Sequence, residues 1–452
     1  MRAPRSLTLP ALAVAALALT LPATAAAVDY PPAGNPGKGD KQVRKGKPKT
    51  LKVCKAKRCK HRTIGAAVRK ARGGDTIKVA NGVYRESVNI TGPRYDGLKI
   101  VGNKGKPRKV VLDGRKLKGA KAQNGVLINN ADRVTLNGIY ARDYRANGFF
   151  VVNADGYTLT NLVAGHTGVY GIYAFNSKGG TMSRSEAFAN NDAGFYIGQT
   201  PPQVKPKRSI VTKVKSHTNV LGFSGTNMRY VTIKNSDFFN NGSGIVPNAL
   251  DSEKFPPPDE NVISGNRVFW NNFNYYAGAP FTIPASGPAG LAGYPIGVGI
   301  LLFGSQHTTV ENNQIFGNWL AGFGALQQIQ LLLKDDPKLK EASVLRSNTI
   351  RNNQFGLNGS DLNGRDMFYD GSGTANCFSG NVTRSPNVPA DGSVFAPCPG
   401  PANNTPDQAA LQEGLSWVLG VNKDDPATFE QFWLRHPHAA QKGIKPLERY
   451  SR

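Results

Sequence analysis

The 452-residue chain is short of several features that mark common protein classes. After residue 27 it has no run of about 18 uninterrupted apolar residues, which excludes a transmembrane helix in the processed chain. Its 4 cysteines are too few for a densely cross-linked scaffold, and its 6 histidines show no clustered metal-ligand spacing apart from His436 and His438. Glycine (51 residues) and turn-forming asparagine are abundant, which favours a protein of strands and turns over a helical one.

The first 27 residues have the layout of a cleaved export signal. A basic start with Arg2 and Arg5 precedes an apolar run at 11–19 and a small-residue end at 23–27. We therefore predict that residues 1–27 are a signal peptide and that the protein is secreted, either extracellular or associated with the cell envelope. An uncleaved membrane anchor is the alternative that the same residues allow.

The four cysteines fall into two local pairs, Cys54 with Cys59 and Cys377 with Cys398, near the two ends of the repeat region. In an exported chain such pairs predict two disulfides. Zinc binding is the alternative for the first pair, although Cys54-x4-Cys59 has no second ligand pair at zinc-site spacing. No metal site is predicted.

Positive charge is concentrated near the amino terminus. Residues 38–121 contain 27 Lys and Arg against 5 Asp and Glu, a net charge of +22, whereas residues 122–452 contain 27 against 24. Residues 28–60 are predicted to be a basic flexible leader. Such a segment favours an acidic polysaccharide or an anionic polymer of the cell envelope as the partner, and not nucleic acid, which an exported protein rarely meets. A solvated arm kept soluble by its charge is the alternative.

A recurring pair, a turn glycine followed by a large apolar residue, sets the period of the chain. Gly148, Gly171 and Gly194 are each 23 residues apart, and the step from Gly299 to Gly322 is also 23 residues. This period predicts an all-β fold over residues 61–400, a right-handed parallel β-helix, which is a solenoid here with coils of about 23 residues.

Strand alternation places the residue after each glycine inside the solenoid, where it joins a column of apolar side chains. The first predicted column is Phe149, Ile172, Phe195, Phe223, Ile245, Ile300, Phe323 and Leu357. The second predicted column is Leu136, Leu159, Met182, Ile233, Ile263 and Val310. Asparagines near the same turn predict a ladder of side-chain amides, formed by Asn190, Asn240, Asn271, Asn318 and Asn352.

Both ends of the solenoid are predicted to carry helices. Thr63 is the N-cap of a short amphipathic helix that ends at Gly73 and covers apolar interior and strand edges of the first coil. Residues 401–452 are predicted to be a small helical tail, with helices at 406–419 and 427–434. This tail either covers the last coil or extends freely.

The stretch Thr63-Ile64-Gly65-Ala66-Ala67-Val68, followed by Gly74-Asp75-Thr76-Ile77, Gly82-Val83-Tyr84 and Glu86, resembles the amino-terminal cap of the pectate-lyase-like superfamily. The later coils resemble the repeats of that superfamily and of NosD-type periplasmic β-helix proteins. The resemblance implies the β-helix fold and an activity among lyases, hydrolases, esterases, epimerases or non-enzymes, and it allows Ca2+ as a cofactor. The sequence lacks the Asn-Thr-Asp and Gly-His-Gly set of polygalacturonases and the Asp-Pro-His-Glu signature of alginate epimerases.

Insertions interrupt the coils at 201–208, 249–260 and 326–342, and a Gly/Pro-rich excursion occupies 277–295. In repeat proteins insertions gather on one face, which is often the binding face. The resembled lyases hold polysaccharide in a cleft beside such loops. An outward-facing aromatic residue recurs beside the insertions in three consecutive coils, as Phe150, Tyr173 and Tyr196, and we predict that these rings bind sugar rings. A secondary core beneath the insertions is the alternative.

Charged residues of the same region are the catalytic candidates. Lyase-type elimination needs a base and groups that neutralise a uronate carboxylate, whereas hydrolysis needs two carboxylates. The loop residues Asp251, Glu253 and Lys254 supply two carboxylates and a cation. Predicted partners on the groove floor, facing outward from the strands that follow the insertions, are Lys234, Glu311 and Arg346. A solvated surface charge is the alternative for each of them.

These features predict a secreted, monomeric β-helix protein that binds an acidic polysaccharide in a loop-lined groove. If it is an enzyme, lyase-type elimination is the predicted reaction. The alternative is a non-catalytic envelope or matrix protein that is tethered by its basic leader. The sequence leaves the choice between enzyme and binding protein open.

Overall fold

A computed structural model describes residues 47–57, 59–273, 294–357, 359–419, 440–442 and 444. The chain winds about 12 times into a right-handed parallel β-helix, and the coils build three parallel sheets. Along the chain the strands enter sheet A, then sheet B, then sheet C, so that neighbours within a sheet come from successive coils. The predicted all-β solenoid is confirmed.

Each sheet is built from one strand of each successive coil. Sheet A contains β1 (Thr50–Val53), β2 (Thr76–Val79), β5 (Lys99–Val101), β8 (Val134–Asn137), β11 (Asp155–Thr160), β14 (Lys178–Ser183), β17 (Ser209–Thr212), β20 (Val231–Lys234), β23 (Val262–Ser264), β26 (Thr309–Glu311), β29 (Thr349–Arg351) and β32 (Cys377–Ser379). Sheet B contains β3 (Gly82–Tyr84), β6 (Val110–Asp113), β9 (Tyr140–Arg142), β12 (Val163–Gly165), β15 (Glu186–Phe188), β18 (Lys215–His217), β21 (Asp237–Phe239), β24 (Arg267–Phe269), β27 (Gln314–Phe316) and β30 (Gln354–Phe355). Sheet C contains β4 (Val88–Thr91), β7 (Asn124–Asn129), β10 (Asn147–Val152), β13 (Ile172–Phe175), β16 (Ala193–Gly198), β19 (Leu221–Thr226), β22 (Ser243–Asn248), β25 (Val298–Phe303), β28 (Ala321–Leu326) and β31 (Met367–Tyr369).

Helices occupy the ends and one insertion. The α-helices are α1 (Ile64–Lys70), α2 (Ile329–Leu332), α3 (Pro337–Ala342) and α4 (Gln408–Leu419). Short 3-10 helices span Pro93–Tyr95, Pro107–Lys109 and Gly119–Ala122. Among the described helices, none combines the length and the apolar character that a membrane span requires.

The apolar columns form the core. Seven members of the first predicted column, from Phe149 to Phe323, are fully buried and pair in register across sheet C. The prediction for the eighth member, Leu357, was wrong. The chain turns outward at Gly356, with φ 72°, and Met367 pairs with Phe323 instead. The second predicted column is confirmed in full, since all its members are buried and in register in sheet A.

A ladder of buried asparagine amides joins successive coils at the turn between sheets B and C. Each Nδ2 donates to the Oδ1 of the next coil at 2.8–3.1 Å along the series Asn190, Asn219, Asn241, Asn271, Asn318 and Asn363. The prediction was wrong for Asn240 and Asn352, which adopt φ 55° directly before a ladder residue. The residue after Asn352 belongs to a second ladder, in which Asn353 donates to Asn381 at 3.0 Å.

Helix α1 covers the first coil as predicted. The Thr63 hydroxyl accepts a hydrogen bond from the Ala66 amide at 3.2 Å. The carboxylate of Glu86 accepts hydrogen bonds from the first-turn amides of Ile64 at 2.7 Å and Gly65 at 2.8 Å. A carboxylate at this end of a helix satisfies free amides and opposes the positive end of the helix dipole, which explains why Glu86 belongs with the cap residues.

Strand β1 lies inside the segment 28–60 that the sequence predicts to be a flexible leader. Its residues pair in register with β2 and belong to sheet A, so the predicted start of the β-helix at residue 61 is too late. Both predicted disulfides are confirmed: Cys54–Cys59 follows β1, and Cys377–Cys398 joins β32 to the loop after it. Residues 1–46, with the predicted signal peptide, lie outside the described residues.

Helix α4 folds back over the outer face of sheet C at the last coils. The Trp417 ring centroid lies 4.2 Å from that of Phe368, and Arg365 forms a salt bridge with Glu413 at 2.6 Å. The tail therefore covers the last coils at this point and does not extend freely. The second predicted helix of the tail, at 427–434, lies outside the described residues.

Candidate functional site

The outer face of sheet C carries the predicted aromatic ladder. Phe150 pairs in register with Tyr173, and Tyr173 with Tyr196. The Phe150 and Tyr173 rings stack with centroids 4.4 Å apart, and the Tyr196 ring meets Tyr173 edge-on at 4.9 Å. Phe150 and Tyr173 are half-buried, whereas Tyr196 is only 1% exposed. The accessible part of the ladder therefore ends at Tyr173, and Tyr196 belongs to a secondary core.

The insertion 249–260 folds back over sheet C and brings Glu253 to this ladder. The Tyr196 hydroxyl donates a hydrogen bond to Glu253 Oε1. The Lys254 amide donates to Gln199 Oε1 at 2.9 Å, which fixes the loop against the end of β16. Burial raises the pKa of Glu253 to about 8, because the charged form would lose its hydration. The Glu253 carboxyl is therefore mainly protonated at neutral pH.

Asp192 lies in the turn that precedes β16 and belongs to the same cluster. The Tyr170 hydroxyl donates a hydrogen bond to its carboxylate. Burial raises the pKa of Asp192 to about 7, against the opposing effect of that hydrogen bond. Charge on Asp192 also raises the pKa of Glu253, so the two carboxyl groups interact electrostatically. The Tyr170 ring connects them, since its centroid lies 4.5 Å from that of Tyr196.

Tyr294 adds a third hydroxyl at the end of the excursion 277–295. Asn248 Nδ2 donates a hydrogen bond to the Tyr294 hydroxyl. Burial raises the pKa of Tyr294, and the carboxylates of Asp192 and Glu253 raise it further, which shows that it shares their surroundings. The remaining residues of the excursion, 277–293, lie outside the described residues. We refer to Tyr170, Asp192, Tyr196, Gln199, Asn248, Glu253 and Tyr294 as the Glu253 site.

Several buried polar atoms of this region lack a hydrogen-bond partner among the described residues. They are Glu253 Oε2, Gln199 Nε2, Thr200 Oγ1 and Asn248 Oδ1. Buried polar atoms in folded proteins nearly always have a partner, so a group of them indicates a place where a polar ligand or water binds. The Gln199 amide and the protonated Glu253 carboxyl both supply donors there, which suits an oxygen-rich ligand.

The predicted loop residues share one segment but make different contacts. Asp251 forms a salt bridge with Lys334 at 2.9 Å, which joins loop 249–260 to the segment after α2. Glu253 points to Tyr196, and the backbone carbonyl of Lys254 accepts a hydrogen bond from Asn227 Nδ2 at 3.3 Å. The side chain of Glu253 therefore contacts a tyrosine of sheet C.

The predicted groove-floor partners lie on sheet A or beside it. Lys234 and Glu311 share an outer column of sheet A, with Ser264 between them. Glu311 pairs with Arg351 at 2.7 Å, and Arg346 pairs with Glu341 at 3.2 Å. The floor beneath Glu253 is instead sheet C, whose strands precede the insertions, because loop 249–260 folds backward over β16.

Sequence reasoning missed most of the Glu253 site. Tyr170 directly precedes Gly171, and Asp192 stands two residues before Gly194, so both occupy the same outer edge of consecutive coils. This shared position before the turn glycine is the sequence feature that could have identified both residues as site candidates. Gln199 and Asn248 each follow or end a sheet C strand just before an insertion. Only the folded loop shows that these positions converge.

Calcium, which the resemblance allows, does not fit the residues that the structure describes. No group of three His, Cys, Asp or Glu side chains within those residues is arranged to hold a metal ion. Asp192 and Glu253 are the two carboxyl groups of the site, and burial favours their protonated forms, which are poor calcium ligands.

The coils match a protein-family model described as right handed beta helix region, over residues 77–219 and 221–392. The chain belongs to this family. The match covers more than half of this right-handed β-helix protein, from β2 to the loop after β32, and agrees with the fold that the repeat predicts. No curated protein matches it.

Several solved structures are similar to this chain at low identity. The A-module of mannuronan C-5 epimerase AlgE6 from Azotobacter vinelandii is 16% identical, with 72% of this chain and 91% of that chain covered and a TM-score of 0.48. Pectate lyase Pel9A is 16% identical, with 75% and 78% covered and a TM-score of 0.40. DFA-IIIase from Arthrobacter chlorophenolicus A6 is 10% identical, with 73% and 93% covered and a TM-score of 0.46. All three TM-scores are below 0.5, so these similarities carry no conclusion about the chemistry of this chain.

Proposed function

We propose that this β-helix protein binds an acidic polysaccharide along the outer face of sheet C and cleaves it by lyase-type elimination at the Glu253 site. The observation that carries the proposal is a cluster of two carboxyl groups with raised pKa values beside buried polar atoms that have no partner among the described residues. Perturbed acids in a cleft are the usual signature of acid–base catalysis. The half-buried rings of Phe150 and Tyr173 continue the surface along the solenoid axis, where they can stack on sugar rings.

Elimination requires a base that is ionised near neutral pH and donors that stabilise charge on the uronate carboxylate. Asp192, with a pKa of about 7, suits the role of base. The pKa of Glu253 is about 8, so its carboxyl is mainly protonated at neutral pH and donates a hydrogen bond to the uronate carboxylate. The Gln199 amide donates a second one. Neutral donors of this kind stabilise the developing charge without a bound cation.

The bond changes balance within the site. Asp192 takes the proton from the carbon next to the uronate carboxylate. A carbon–carbon double bond forms to the neighbouring carbon as the bond from that carbon to the glycosidic oxygen breaks. The leaving oxygen takes a proton from the Tyr170 hydroxyl, and Asp192 returns a proton to Tyr170 along their hydrogen bond. Both residues regain their starting states, and no co-reactant is consumed.

Hydrolysis is the second candidate, because two carboxyl groups share the site. One of them would then protonate the leaving oxygen while the other serves as base or nucleophile. Hydrolysis creates reducing ends without unsaturated sugars, so the products separate it from elimination.

We further propose that the protein works outside the cytoplasm as a monomer. Two disulfides persist in oxidising compartments, which supports export by the predicted signal peptide. Helix α1 packs on the first strands of the solenoid and covers its open end. Covered strand edges oppose association through the sheets, which supports a monomer.

The test is incubation of the processed protein with pectate, alginate and glycosaminoglycans. Ultraviolet absorbance reports unsaturated products, and a reducing-end assay reports every cleaved bond. We expect both signals to rise together with at least one polymer and to disappear in Asp192→Asn. The control is Glu260→Gln, because Glu260 is exposed in the insertion 249–260 that carries Glu253; this variant should keep full activity. Reducing ends without absorbance would establish hydrolysis instead, and binding without either signal would establish a non-catalytic binding protein.

A further inference from the structure

Three exposed lysines lie together on the outer face of sheet A at the amino-terminal end of the solenoid. We call Lys52, Lys78 and Lys99 the lysine strip. Lys52 on β1 and Lys78 on β2 are register partners. Lys99 on β5 pairs with Thr76 and is therefore the diagonal neighbour of Lys78 on the same face. Because neighbouring strands are ~4.8 Å apart, the strip follows the solenoid axis across three coils.

The positive charge of the strip is not compensated within the described residues. Like charges directly opposite each other destabilise a sheet, yet none of the three lysines forms a salt bridge among the described residues. The nearby carboxylates have other partners. Asp75 accepts hydrogen bonds from the amides of Lys49 and Arg72, Glu86 caps α1, Asp96 pairs with Arg133, and Asp113 pairs with Arg115 and Arg142.

The surroundings of the strip distinguish among polyanions. Its neighbours on the same face include Thr50, Thr76 and Thr135, which offer hydroxyl groups and no aromatic ring. Proteins that bind single-stranded nucleic acid combine cations with aromatic side chains on which bases stack. A face of ammonium and hydroxyl groups suits carboxylated or sulfated sugars instead.

We propose that the lysine strip anchors a linear acidic polysaccharide along the solenoid axis, at a site distinct from the Glu253 site. The strip belongs to sheet A and the first coils, whereas Glu253 lies over β16 of sheet C. The anchor is therefore independent of whether Glu253 is catalytic. It also places part of the polyanion binding in ordered coils of the β-helix, where the leader is not required.

The test measures the affinity of the processed protein for polygalacturonate and for chondroitin sulfate at several salt concentrations. The variant Lys52→Gln/Lys78→Gln/Lys99→Gln removes the strip. The matched control Lys116→Gln/Lys118→Gln/Lys121→Gln removes the same charge from exposed lysines of the loop near Gly119–Ala122. We expect about tenfold weaker binding and a shallower salt dependence for the strip variant, against less than about twofold for the control. Glu260→Gln, an exposed change outside both sites, should bind as the unmodified protein does. The strip variant should lose the same factor of affinity when Asp192 is also changed to asparagine, which separates the anchor from the proposed active site.

Equal losses in the two triple variants would mean that net charge alone drives binding and would overturn the proposal. Single-stranded RNA that binds as tightly as the polysaccharides, and depends equally on the strip, would overturn the choice of polysaccharide. A second measurement does not depend on any ligand. Lys78→Gln should raise the melting temperature of the free protein, because it removes the repulsion with Lys52.

Discussion

At the scale of single residues, the pKa values of side-chain carboxyl groups shift in opposite directions in exposed and buried positions. Exposed Asp391 has a pKa below its usual value, because the backbone amide and the hydroxyl of Ser393 donate hydrogen bonds to it. Glu253 receives a hydrogen bond from Tyr196, but the loss of hydration outweighs it and raises the pKa to about 8. Burial also raises the pKa of Asp192, so two aspartates of this chain shift in opposite directions according to their location in the fold.

The pH profile of the reaction follows from these two acids. Activity should rise as Asp192 ionises, at a pKa of about 7, and fall as Glu253 loses its proton, at about 8. Glu253→Gln keeps a neutral donor that cannot ionise, so the alkaline fall should disappear while the acid limb remains. The measurement is kcat/KM against pH, with Glu260→Gln expected to retain both limbs. Complete inactivity of Glu253→Gln at every pH would show that Glu253 acts as the base.

At the scale of elements, specific side-chain contacts with the coils hold the insertion 249–260 in place. Asn227, in the turn after β19, donates from Nδ2 to the carbonyls of Leu250 and Glu253, both at 2.7 Å. Its Oδ1 accepts from the Leu250 amide at 3.1 Å. At the other end of the insertion Asp259 pairs with Arg229 at 2.6 Å. The loop that carries Glu253 is therefore positioned by a side chain of the preceding coil.

Asn227→Gly tests whether this contact positions Glu253. Glycine accepts the left-handed backbone of this residue, φ 48°, so the substitution removes the side chain without backbone strain. Water should then reach Glu253, its pKa should fall toward the usual value, and the alkaline limb of the pH profile should move to lower pH. We expect kcat/KM to fall about tenfold.

Asn235→Gly is the matched control, because Asn235 is exposed with φ 51° in another turn. It should leave the pH profile unchanged. An alkaline limb that stays in place in Asn227→Gly, with a lower melting temperature only, would show that Asn227 has a purely structural role.

The elements also show where sequence patterns succeed. Helix α1 was predictable because its N-cap Thr63 and its apolar spacing are local signals. The column ending in Phe323 was predictable because each coil repeats the same alternation. The pattern failed at Leu357, where a loop enters the coil and the next interior residue is Met367. An extra loop shifts the count without leaving a local mark in the sequence.

At the scale of the whole molecule, the asparagine ladder couples each coil to the next by buried hydrogen bonds. Asn241 is fully buried, and its Oδ1 accepts from both the backbone amide and Nδ2 of Asn219. Its own Nδ2 donates to Ser216 and to Asn271. Because each coil contacts only its neighbours, a break at one coil weakens the connection between the two halves of the solenoid.

Asn241→Ala should therefore destabilise the protein by about 1–3 kcal/mol, because several buried groups lose partners at once. The measurement is the midpoint of urea unfolding. Asn89→Ala is the control on an exposed position of β4 and should change the free energy of unfolding by less than about 0.5 kcal/mol. Equal midpoints for the two variants would show that the ladder does not link the coils energetically.

The solenoid follows from the sequence alone, because a period of 23 residues with alternating apolar positions can be buried only by stacking one coil on the next. The disulfide partners and the cap follow from it as well, because they depend on neighbours close in the chain. The candidate site, in contrast, depends on contacts between distant parts of the chain. Tyr170, Asp192, Tyr196 and Glu253 meet because one insertion folds backward over earlier coils. The direction in which a loop folds depends on contacts between coils, such as those of Asn227, and no repeat within the sequence encodes it.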